Sequence, residues 1–154
     1  MLRVVTLAGL CALASHSGLS PLSRVQVAPV YWQGQTSPAF AVQCVNDSTV
    51  ARELIAYIQS SASIRLDGVV REREGFVGSL LSRPGERLQV AGGETFTQVV
   101  VLGESPQQPL TFPVELGHPV VTPHGIAVAP GEHSVAFTCW SEWSDDVRFV
   151  WSGS

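Results

Sequence analysis

The chain has 154 residues, with 9 basic and 13 acidic side chains and a formal charge of −4, and its mean hydropathy is +0.21. That length allows one domain with a real core and excludes a second comparable one. A content of 45% hydrophobic and 14% charged residues excludes the disordered class, in which high charge and low hydropathy prevent burial. The negative balance, with arginines scattered along the chain, removes the counterion-release affinity that nucleic-acid binders use, so no nucleic-acid partner is expected.

Every basic side chain is Arg, and no Lys occurs, which rules out Schiff-base and catalytic-ammonium chemistry.

Met1 to Ser15 reads MLRVVTLAGLCALAS. It combines a charge at Arg3, an apolar run from Val4 to Ala14 and the small-residue pattern Ala12-Leu13-Ala14, the parts of a secretory signal cleaved after Ala14. The run is too short for a transmembrane span. The alternative is an uncleaved N-terminal arm or strand. Cleavage would remove Cys11 and leave Cys44 and Cys139, an even number, each in a strand-like apolar segment; one disulfide between them is expected. The exported reading places the protein outside the cell, at the cell surface or in the periplasm; the alternative is a virion. Ser15 to Ser23 reads as a flexible lead-in, and one domain follows over residues 23–154.

From Ser23 onward, short β-branched and aromatic runs alternate with Gly, Pro and Ser punctuation. Strands are expected at Arg24–Trp32, Ala39–Val45, Ser63–Arg71, Arg87–Val90, Thr95–Leu102, Leu110–Leu116, Gly125–Val128, His133–Cys139 and Val147–Trp151. The fold class is all-β, an antiparallel sandwich of immunoglobulin-like or jelly-roll topology with at most one short helix. Asn46-Asp47-Ser48 fits a glycosylation sequon. Asp47–Ser60 is where the helix is expected, because Asp47 or Ser48 can cap it and Val50, Leu54, Tyr57 and Ile58 share one helical face. Read as a strand, Leu54, Ala56 and Ile58 would alternate instead. Asp67-Gly68 marks a tight hairpin. Pro84-Gly85-Glu86 and Pro130-Gly131-Glu132 mark reversals into new strands.

Positive signals for catalysis are lacking. The histidines His16, His118, His124 and His133 have no metal-ligand spacing. Gly75–Ser82 (GFVGSLLS) lacks a nucleophile elbow. Asp145-Asp146 and Glu72/Glu74 read as solvated carboxylates. Gly92-Gly93 precedes no helix. No catalytic residue, metal or cofactor is expected.

The large rings, Tyr31, Trp32, Trp140, Trp143 and Trp151, gather near the two ends of the domain. They form a candidate binding surface for a protein partner, for self-assembly or for carbohydrate, the alternative being that some lie in the core. Trp140-Ser141-Glu142-Trp143-Ser144 resembles the Trp-Ser-x-Trp-Ser box of class I cytokine receptors, which lies just before the last strand of a fibronectin type III domain. The resemblance implies a following strand, here Val147–Trp151, and a cation–π ladder with arginines of the neighbouring strand. The preceding strand, His133–Cys139, carries no arginine, and Arg148 lies after the box. The expected function is that of an exported, disulfide-stapled, non-catalytic module acting through protein–protein contacts. The alternatives are a virion structural or capsid decoration protein and a carbohydrate-binding module.

Overall fold

The computed structural model describes residues 3–4, 23–56, 63–71, 86–140 and 142–153. Most of the leader and lead-in, residues 57–60 of the expected helix, the glycine-rich Gly75–Ser82 stretch and the Pro84-Gly85 turn lie outside them. In chain order the strands are β1 (Arg3–Val4), β2 (Ser23–Tyr31), β3 (Ala39–Asn46), β4 (Arg52–Ala56), β5 (Ile64–Leu66), β6 (Val69–Arg71), β7 (Glu86–Val90), β8 (Thr95–Val101), β9 (Val120–Pro123), β10 (Gly131–Cys139), β11 (Glu142–Trp143) and β12 (Val147–Trp151). A 3-10 turn at Val114–Leu116 precedes β9.

The chain is all-β and sandwich-like. One sheet has the order β1-β2-β3-β8-β9, and a second has β6-β5-β10 with β11 and β12 along the other side of β10. Alternation explains why they pack. Phe40, Val42 and Cys44 of β3 meet Ile64 and Leu66 of β5, Val135, Phe137 and Cys139 of β10, and Phe149 of β12 in one buried cluster. Phe40 lies between Phe137 and Phe149, with ring centroids 5.5 and 5.1 Å away. The Cys44–Cys139 disulfide, with Cα atoms 5.8 Å apart, ties β3 of the first sheet to β10 of the second.

Strand β3 is buried along nearly its whole length, so it reads as a continuous apolar run rather than an alternating one. The outward Ala39 and Ala41 are covered by Trp32, Phe112 and Leu116. This cover accounts for one correction. Leu110–Leu116, expected as a strand, is a loop ending in the 3-10 turn: Pro109 and Pro113 interrupt a ladder, Phe112 and Leu116 pack on the sheet, and Val114 is 93% exposed. The chain then enters β9, which pairs in parallel with β8, so the first sheet is mixed and not purely antiparallel. Gly125–Val128 is likewise no strand, although Ile126 N–H still donates to Leu102 O at 2.6 Å.

The helix expected from Asp47 is also corrected. Arg52–Ala56 is β4, paired antiparallel with β7 in a two-stranded sheet. The apolar residues of the stretch 47–60 fit both a 3.6 and a 2.0 period, and the partner strand decides between them. Asn46 fastens the corner, its buried amide nitrogen donating to Val50 O (2.9 Å), Val90 O (2.8 Å) and Ala91 O (3.2 Å). The Asp67-Gly68 hairpin forms as expected between β5 and β6. Both turn residues have positive φ, 49° and 79°, the conformation of a type I′ turn.

Candidate functional site

The aromatic box begins where β10 ends at the disulfide. Trp140 takes a left-handed φ of 57°, and the chain reverses so that Trp143 pairs with Thr138 and Glu142 with Cys139. Ser144 continues that register: its N–H donates to Phe137 O at 2.8 Å, and its Oγ accepts from Phe137 N–H at 3.0 Å and donates to Asp145 O at 2.9 Å. Beyond it, Val147 faces Val135, a shift of one residue, so Ser144–Asp146 bulges before β12. The last strand therefore follows the box, as the resemblance implies.

Both tryptophans carry a guanidinium. Arg52 of β4 lies over Trp140 with its Cζ 4.7 Å from the ring centroid, and Arg65 of β5 lies over Trp143 at 4.8 Å. Trp140 Nε1–H also donates to Glu53 O at 3.0 Å, which ties the β4–β7 pair to the end of β10. One Arg52 guanidinium nitrogen is buried with no hydrogen-bond partner among the described residues, and the π face beneath that guanidinium offers the compensating attraction. Arg65 reaches Asp146 at 3.3 Å. The arginines thus come from β4 and β5 and not from the strand preceding the box.

The signal that could have found Arg65 is the alternation Ile64-Arg65-Leu66, which puts it on the face opposite the two buried residues. The pairing of β5 with β10 was not readable from the chain, and the helical reading of 47–60 hid Arg52.

The five aromatic candidates do not form one patch. Trp140 is half-buried against the core and Trp143 is 37% exposed, together at the disulfide end. Trp151 pairs with Gly131 at the far end of β10. Trp32 packs on the outer face of the first sheet, and Tyr31, exposed, faces Arg3 of β1.

The described histidines are separated as well. His118 is exposed in the loop before β9, and His124 is buried just after it. His133 on β10 hydrogen-bonds Asp67 Oδ2 through Nδ1 and Ala129 O through Nε2, both at 2.7 Å. The Asp67 carboxylate, then the Ala129 carbonyl, hold the His133 pKa above its ordinary 6.5. The His133 bond, then the Ser134 N–H, hold Asp67 below 3.8. Among the described residues no three His, Cys, Asp or Glu side chains are grouped to hold a metal ion, and no helix is long and apolar enough to cross a membrane.

Comparison with protein-family models, curated proteins and solved structures found no match. The likeness to the cytokine-receptor box rests on its five residues and the ring–guanidinium stacking around them.

Proposed function

We propose that the protein is an exported, non-catalytic, disulfide-stapled module that binds a protein partner through its tryptophan–arginine end. The observation that carries this reading is the stack of Arg52 on Trp140 and Arg65 on Trp143 at the rim of the second sheet. Trp and Arg are the residues that most often anchor protein interfaces, and here packing holds them in place before any partner arrives, which lowers the ordering cost of association. The buried Cys44–Cys139 link supports folding in an oxidising compartment.

The test uses a photo-crosslinking phenylalanine analogue at Glu142, with the full chain on its source cells. The expected result is a covalent protein adduct that Trp143→Ala abolishes and that the same probe at exposed His118 does not give. Equal yields at the two positions, or a yield independent of Trp143, would overturn the reading.

A second reading, a virion structural or decoration subunit that keeps its N-terminus, is favoured by one observation: Arg3–Val4 pairs with Val30–Tyr31 as an edge strand. The mass of the natively sourced chain separates the two.

A further inference from the structure

At the end of the molecule away from the disulfide, two open depressions of about 830 and 510 Å³ share Thr36 and Glu104 as lining residues. They adjoin at those two residues, and together they make up what we call the trough. Trp32 lines one part and Trp151 the other, and each ring is half-buried. Trp151 is paired with Gly131, whereas Trp143 is paired with Thr138. At a rise of ~3.3 Å per residue, this puts the trough on the order of 20 Å from the tryptophan–arginine end.

Its walls are built before any ligand is considered. The turn carrying Trp32 is tied by Gln35, whose Nε2 donates to Val30 O at 3.2 Å and Ser37 O at 2.7 Å, while its Oε1 accepts from Trp32 N–H at 3.3 Å. Gly103 lies so close to Ser37 that an added Cβ would sit 2.7 Å from the Ser37 Cβ. Glycine is therefore what lets the two walls of the trough meet. Gly103 O also accepts from His124 N–H (3.2 Å) and Gly125 N–H (3.0 Å).

Unlike Gln35, the lining side chains Gln33, Gln107, Gln108 and Glu104 are exposed and make no hydrogen bond to another described residue. Their chemistry selects a ligand class. Each amide offers a donor and an acceptor, matching hydroxyl groups that do both. Among the described residues no arginine lines either depression, so there an anionic ligand would meet the like charge of Glu104. An apolar ligand would desolvate the amides without replacing their hydrogen bonds. A neutral, hydroxyl-rich ligand with apolar ring faces satisfies both the amides and the indoles.

We propose that this trough binds a neutral oligosaccharide, with sugar rings against Trp32 and Trp151 and hydroxyls hydrogen-bonded by Glu104 and the three glutamines. The inference stands apart from the protein-contact reading, which concerns the opposite end.

The experiment is calorimetric titration of the full chain with cellohexaose, maltohexaose, xylohexaose and chitohexaose, and with a sulfated heparin hexasaccharide as the anionic control. At least one neutral hexasaccharide is expected to bind saturably. Trp32→Ala and Trp151→Ala should each weaken it about tenfold. Because both rings also pack on apolar neighbours, Glu104→Gln combined with Gln108→Ala serves as a variant that leaves them in place, with a loss of similar size expected. Trp143→Ala should bind as wild type. Binding of the heparin fragment alone, no binding by any neutral hexasaccharide, or equal affinity in the trough variants would overturn the proposal.

Discussion

Asn46 is fully buried on β3, its amide nitrogen held by three carbonyls and its Oδ1 accepting from Ser48 N–H at 3.1 Å and Ser48 Oγ at 2.6 Å. The local sequence reads as a glycosylation sequon, yet in the folded chain Asn46 and Ser48 are both committed to the corner between β3, β4 and β7. Asn46→Ala would take this donor from the buried Val90 carbonyl, while Val50 O keeps Ser48 Oγ–H and Ala91 O keeps Glu94 N–H. The expected cost is about 2–4 kcal/mol by chemical denaturation, with position 46 carrying no glycan in a peptide map. The His133–Asp67 pair gives a pH signature. Because the His133 pKa is raised from 6.5, its contribution is complete below that value and disappears as pH rises through the folded pKa. Because the Asp67 pKa is lowered from 3.8, its contribution is complete above that value and disappears as pH falls through the folded pKa. The window of full contribution is therefore about pH 4–6.5. With the Asp67 side chain 48% exposed, solvent screening limits the effect to about 0.5–1 kcal/mol. Asp67→Asn, which suits the type I′ turn equally well, should lower the urea midpoint at pH 5 and nearly match wild type at pH 9.

At the scale of elements, the pairing of β5 with β10 and the packing of β4 beside Trp140 turn scattered arginines into a ladder. A double-mutant cycle between Arg65→Ala and Trp143→Ala should show a coupling of about 0.5–1 kcal/mol; additive losses would mean that the ring and guanidinium do not interact. The same elements show what was legible in the sequence. The β5–β6 hairpin was readable because Asp67-Gly68 supplies the positive φ its turn needs, and β10 and β12 were readable because their inward residues alternate. β4 was missed because Leu54 fits a helical face with Val50 as well as a strand alternation with Ala56, and the choice belongs to β7, more than thirty residues further on. β9 was missed because its short Val-Val-Thr run is bounded by prolines and pairs in parallel, after a crossover that no local signal announces.

For the whole molecule, the decisive feature is that one buried core and one covalent link join the two sheets. Cys44 and Cys139 could be paired from parity alone once Cys11 was assigned to a leader; which strands they would join could not, since strand order depends on long-range partners. A closure spanning 95 residues contributes about 4–5 kcal/mol on the chain-entropy account, so Cys44→Ala/Cys139→Ala should shift the denaturation midpoint far more than any single surface change, with reductant producing a similar loss in wild type. The most direct test of an exported, stapled binding module is intact-mass analysis and non-reducing peptide mapping of natively sourced protein. The account predicts a chain beginning at Ser15 whose only linked peptides carry Cys44 and Cys139. A chain beginning at Met1 with both cysteines as free thiols would contradict it.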